Sequence, residues 1–76
     1  AMTHAQIILE SLGNGPQSLP QLACSLHMRG AVRTEHMYAE ARKVVRELQD
    51  AGHIEQCGEG LNTCWRLPAK TPMENT

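Results

Sequence analysis

Phenylalanine is absent from the 76 residues, and the aromatic complement is one Trp and one Tyr. A core without more large rings must be assembled from Leu, Ile, Val, Ala and Met, which suits packed helices better than a sheet sandwich. No apolar run approaches the ~20 residues that cross a bilayer. The longest purely aliphatic stretch is Ile7 to Leu9, so a soluble chain with no membrane partner is expected. Excess positive charge is missing too: seven Lys and Arg against eight Asp and Glu leave a formal −1, which is not the balance of a strong nonspecific nucleic-acid binder. There is no glycine-rich phosphate loop and no acidic cluster. A chain this short rarely encloses the pocket that a Cys or His general base needs, so it does not read as an enzyme.

Cysteine is sparse and odd in number: Cys24, Cys57 and Cys64. With no N-terminal segment of signal-peptide type, the expectation is a reduced, cytosolic setting. Cys24-x-x-His27 has ligand-like spacing, and Cys57 and Cys64 would face each other across a hairpin. A structural zinc site, however, usually shows two tight pairs, and Cys57-x6-Cys64 is wide. No metal or other cofactor is therefore expected, and a Cys57–Cys64 disulfide is geometrically possible but disfavoured in a reducing cytosol.

What the chain does have is room for one domain, of a size that buries only about 60% of its unfolded surface. The domain is assigned to residues 3–68. Ala1 ahead of Met2 reads as a residue left by cloning, and the ends, 1–2 and 69–76, are expected to be disordered. Thr3 N-caps a first helix in which Ala5, Ile8, Leu9 and Leu12 form an apolar stripe. Gly13 closes it as a left-handed residue, and Asn14-Gly15-Pro16 is a turn. Ser18-Leu19-Pro20-Gln21 reads as a capping box for a second helix with Leu19, Leu22, Ala23 and Leu26 inward. The segment His27 to Arg33 has no stripe and is broken by Gly30. Thr34 opens the longest periodic stretch, with Met37, Ala41, Val44, Val45, Leu48 and Ala51 on one side, closed by Gly52. His53 to Gln56 and Cys64 to Leu67 then read as two strands, joined by a flexible turn containing Gly58, Glu59, Gly60 and Asn62. No internal repeat or low-complexity segment is present.

The order helix, helix, helix, hairpin resembles the winged helix-turn-helix superfamily of prokaryotic and phage regulators over roughly Ala5 to Leu67. The resemblance rests on Ile8-Leu9-x-x-Leu12, on Leu19-x-x-Leu22-Ala23-x-x-Leu26, and above all on Arg42-x-Val44-x-x-Leu48-x-x-x-Gly52-x-Ile54 running into the hairpin. It implies an α+β fold of three helices and a two-stranded wing. One departure is plain, since seven residues separate Leu26 from Thr34 where a helix-turn-helix uses 3 to 4. Either the second helix runs longer or the turn carries an insertion.

All seven basic residues lie from Arg29 onward. On a helical wheel Glu35, Ala39, Arg42, Lys43, Arg46 and Asp50 oppose the third helix's apolar stripe, with Tyr38 and Gln49 on one shoulder and His36 on the other. The resemblance implies duplex DNA as partner, with the start of the third helix reading base edges and flanking cations holding phosphates. On that basis Arg33, Thr34, His36, Tyr38, Ala39 and Arg42 are base or near-base candidates. Lys43, Arg46 and Arg29 are phosphate candidates, and Asn62 and Arg66 are wing contacts. The plainer reading pairs Lys43 with Glu47 and Arg46 with Asp50 as i,i+4 surface pairs, whereas Arg42 and Arg33 have no acidic neighbour at helical spacing. Tyr38 suits core or contact equally, Trp65 reads as the wing's anchor in the core, and Met28 and Met37 read as packing residues. A transcriptional regulator acting as a homodimer is one expectation, with the first helix or the tail as its contact. A protein-interaction module on the same fold, binding a host complex, is the alternative.

Overall fold

The computed structural model describes residues 2–68. The disorder expected for Ala1 and for 69–76 concerns residues outside that range. Three helices, α1 (His4–Leu12), α2 (Leu19–Met28) and α3 (Met37–Asp50), precede an antiparallel hairpin of β1 (Glu55–Cys57) and β2 (Cys64–Arg66). This is the expected α+β arrangement of three helices and a two-stranded wing.

The predicted N-cap Thr3 proves to be part of a capping box, and the capping box predicted at Ser18 is present as well. At α1 the Gln6 amide donates to Thr3 Oγ1 (3.1 Å) and the Thr3 amide donates to Gln6 Oε1 (2.8 Å), a device whose loss costs about 1 kcal/mol. At α2 the Ser18 amide donates to Gln21 Oε1 (2.8 Å). Pro20 sits in the first turn, where its missing N–H removes no helical bond. The ends of α2 and α3 share one solution. Gly30 (φ 75°) and Gly52 (φ 82°) take left-handed backbone. The Ala31 amide then reaches the Leu26 carbonyl at 3.0 Å, and the His53 amide reaches the Leu48 carbonyl at 2.9 Å, the long bond of a Schellman motif.

The expected left-handed Gly13 is corrected. It continues the right-handed turn at φ −61°, its amide taken by the Leu9 and Glu10 carbonyls. The chain reverses two residues later, at Gly15 (φ 124°). The long connector also resolves: α2 extends two residues past Leu26, so the segment without a stripe shrinks to Arg29–Arg33. Thr34–His36 form a separate 3₁₀ turn before α3, with His36 at φ −114°. The continuous wheel from Thr34 is therefore corrected as well, because residues 34–36 do not share α3's periodicity.

The core joins Ile7, Ile8 and Leu12 of α1, Leu22, Ala23 and Leu26 of α2, Ala41, Val44, Val45 and Leu48 of α3, and Ile54. Ile7 lies outside the predicted stripe. It is buried because α1 packs against both other helices, so a wider arc of it is covered. Two expected packing residues are corrected: Met28 is 81% exposed, about 200° round the helix from Leu26 at 100° per residue, and Ala51 is exposed as the C-cap of α3. Trp65 packs against the core as predicted, and its Nε1 donates to Gln49 Oε1 at 3.0 Å.

The hairpin is held by more than its own pairing. Gln17, in the α1–α2 loop, exchanges both backbone bonds with Trp65 (3.0 and 2.8 Å), so it adds a one-residue third strand. Its side chain is fixed by Ser11, whose hydroxyl donates to Gln17 Oε1 (2.8 Å) and whose carbonyl accepts from Nε2 (3.0 Å). The turn expected to be flexible is hydrogen-bonded: Gly60–Asn62 make a 3₁₀ turn, and the Thr63 hydroxyl donates to the Gly60 carbonyl at 2.8 Å. Gly58 (φ 70°) is obligatory on two counts, since a Cβ there would also collide with the Asn62 carbonyl. Gly52 shares the positive φ but has open space. Gly52→Ala should therefore cost about 1 kcal/mol, and Gly58→Ala about 2 kcal/mol or more because a clash adds to the strain. Thermal unfolding of the pair checks this, and equal losses would refute the collision.

Candidate functional site

The apolar stripe of α3 faces inward, which leaves Ala39, Arg42, Lys43, Arg46, Glu47 and Asp50 along its outer side. These residues line one shallow groove of about 480 Å³. At the usual rise α3 is about 21 Å long, and three cations occupy its middle two turns. Neither i,i+4 pair of the plainer reading forms: among the described residues, Arg33, Arg42, Lys43 and Arg46 have no carboxylate within ion-pair distance. Tyr38 is exposed instead of serving the core, and Ala39 beside it gives the face a low point.

The other cationic candidates are differently placed. Arg29, the C-cap of α2, is ion-paired with Glu10 of α1, and its Nη1 donates to Met2 Sδ at 3.3 Å. Arg66 donates from Nε to Glu55 Oε2 at 2.5 Å across the hairpin, and this bond raises its pKa above the ordinary guanidinium value. Both pairs are about half exposed, so they stabilise little. Each nevertheless cancels a positive charge that the sequence pattern offers to a partner. Asn62 lies on the exposed hairpin tip next to Leu61, which is fully exposed.

No family model, curated protein or solved structure matches the chain. What the site can do follows from its own geometry.

Two features that orient α3 have no signal in the sequence. His27, in the last turn of α2, donates from Nδ1 to the Val32 carbonyl (3.0 Å) while Nε2 lies 3.2 Å from Thr34 Oγ1. The carbonyl can only accept, so the neutral ring carries its proton on Nδ1 and Nε2 accepts from the Thr34 hydroxyl. His27 thus spans the connector and fixes the first residue of the 3₁₀ turn. At the same end, His4 Nδ1 meets Glu40 Oε2 at 2.7 Å and ties the start of α1 to the first turn of α3. Such partners meet only once the helices cross.

The cysteines divide. Cys24 is exposed on α2, while Cys57 and Cys64 are half-buried direct partners in the hairpin. Among the described residues no three metal-ligating side chains come together. The Cys57 thiol is pushed above its ordinary pKa, first by its hydrogen bond with Cys64 and then by desolvation.

Proposed function

We propose that this chain is a DNA-binding module of winged helix-turn-helix type, which presents the outer face of α3 to the major groove and acts as a small transcriptional regulator. The observation that carries this reading is the set of exposed cations Arg33, Arg42, Lys43 and Arg46, none ion-paired among the described residues, on a domain whose net charge is −1. Arg42, Lys43 and Arg46 share the outer side of α3 with Glu47 and Asp50, so that side carries a small positive excess on a chain of net charge −1, the sign a phosphate backbone requires. A helix of this diameter fits the major groove, and Ala39, between Tyr38 and Arg42, lets it approach closely. One domain makes few phosphate contacts, so binding as a pair of copies on a two-fold site belongs to the proposal.

A second reading, docking to a protein, draws on the hairpin. Its tip holds Leu61 in full exposure on a hydrogen-bonded turn, beside Glu59 and with Arg66 already neutralised by Glu55. An apolar tip with acidic neighbours suits an apolar protein pocket better than a polyanion.

The deciding experiment is retention of the protein on random-sequence duplex DNA through a salt series, followed by selection from a random library. The DNA reading expects retention that falls steeply with salt and an enriched motif, both reduced in Arg42→Ala by about 1–3 kcal/mol with the fold intact. No salt-dependent retention and no enrichment would overturn it, and loss of partner capture in Leu61→Ser would support the protein reading.

A further inference from the structure

We infer that Cys57 and Cys64 form a reversible thiol–disulfide couple that closes the hairpin at the base of its turn. The placement follows from the backbone. Both the N–H and the C=O of Trp65 are taken by Gln17, so towards β1 Trp65 faces Gln56 as a non-hydrogen-bonded pair. The neighbouring pair, Cys57 and Cys64, is therefore a hydrogen-bonded one, with Cα atoms about 5.5 Å apart by the geometry of such pairs. That separation lies inside the range of about 4.4–6.8 Å that a disulfide spans, while the Cβ atoms of such a pair, about 5 Å apart, must draw in to about 4 Å, so closure shifts the strands locally. The two side chains leave the same face of the hairpin, and the Cys64 thiol already lies over β1, with Sγ donating to the Cys57 carbonyl at 3.2 Å.

Access and rigidity favour ring closure over other products. Side-chain alternation puts Trp65 and Gln56 on one face and Cys57, Cys64, Glu55 and Arg66 on the other. The thiols thus lie on the side away from Trp65's packing with the core and remain half-exposed. Gly58 at positive φ and the hydrogen-bonded tip hold the strands in register, so the second thiol stays beside the first after the first has reacted. This is the arrangement that favours an intramolecular bond over a lasting adduct.

The oxidant is a small disulfide such as oxidised glutathione. One hairpin thiol loses its proton to solvent and its sulfur attacks a glutathione sulfur, breaking the S–S bond and releasing one glutathione thiolate, which takes up a proton. The second hairpin thiol, deprotonated in turn, attacks the protein sulfur of the mixed disulfide. The Cys57–Cys64 bond forms and the second glutathione leaves. The protein loses two hydrogens, and one glutathione disulfide becomes two thiols.

The test takes the full chain carrying Cys24→Ser, a change on an exposed helical surface, through buffers from fully reduced to fully oxidised glutathione. Products are alkylated and read by intact mass, with Trp65 emission recorded in parallel, since Trp65 adjoins Cys64 and is the sole Trp. The expected result is a monomer in which both thiols vanish together, two hydrogens lighter, with emission changing at the same midpoint and full recovery on adding excess reduced glutathione. The unmodified chain should yield a peptide linking Cys57 to Cys64. Stable glutathione adducts, linked dimers, or two alkylatable thiols in the most oxidised buffer would each overturn the inference. In Cys24→Ser with Cys64→Ser, the remaining thiol should stop at the glutathione adduct without the emission change. The same change there would also overturn it.

Discussion

In the proposed DNA complex, replacing Arg42, Lys43 and Arg46 together by Ala should flatten the salt dependence of binding by about 2.7 in the slope of log affinity against log salt, at roughly 0.9 for each phosphate no longer neutralised. Between about 50 and 200 mM salt that difference amounts to roughly fortyfold: the unmodified domain loses about forty times more affinity than the variant. The effect is large because the three cations stand on one face with no carboxylate in ion-pair contact among the described residues, although Glu47 and Asp50 line the same groove. The fold is expected to persist, since all three are exposed and the stripe beneath them is untouched. Fluorescence anisotropy on a labelled duplex across the salt series is the measurement. Superimposable slopes for variant and parent would remove α3 from the DNA interface. Arg29→Ala and Arg66→Ala should change the slope much less, because Glu10 and Glu55 already occupy those side chains.

Leu26→Ala should be among the most damaging truncations in α2. Leu26, like Leu22, is fully buried in the three-helix core, and removing a buried Leu side chain costs about 2–5 kcal/mol. At about 0.05–0.15 kcal/mol per residue, a domain of this size holds roughly 4–11 kcal/mol in total. The variant should therefore melt at least about 10 °C lower, at roughly 4–8 °C per kcal/mol for so small a domain. Met28→Ala, two residues along the same helix but 81% exposed, should leave the melt within a few degrees. Circular dichroism at 222 nm, the usual helix band, reads both. Comparable losses at the two positions would refute the assigned inward face of α2.

The contrast between Leu26 and Met28 also marks what the sequence can reveal. Apolar spacing places Leu22, Ala23, Leu26, Val44, Val45 and Leu48 in the core because one stripe per helix is a local property. The Thr3 cap, the Ser18 capping box and the closing Gly52 are legible for the same reason: their partners are three to five residues apart. Met28 misleads because apolar character suggests packing, while its position on the helix turns it to solvent. Ile7 escapes the pattern because its burial depends on two helices meeting α1 from different sides. Gly13 and Gly15 are easily exchanged because composition signals a reversal but not which glycine takes the positive φ.

At the candidate site, the outward face of α3 is legible as a face, while its electrostatics are not. The i,i+4 pairs suggested by spacing do not form, and Arg29 and Arg66 are claimed by Glu10 and Glu55 from other elements. The expected facing of Cys57 and Cys64 already implies, in the same register, Glu55 opposite Arg66, whereas nothing in the primary order pairs residue 10 with 29. The same holds for His27, whose two ring nitrogens set the approach to Thr34 only after α2 has ended where it does.

The Gln17–Trp65 pairing has a kinetic meaning. Those residues are far apart in the sequence, so their contact closes most of the domain's chain into one loop, and loop closure of that length follows local helix formation. During synthesis the helices can form and collapse as they emerge, but the sheet cannot be completed until β2 has left the ribosome. Until then Gln17 has no backbone partner in Trp65, and the flank of the core that Trp65 covers stays open to water. Completion of this fold is therefore timed by its last strand.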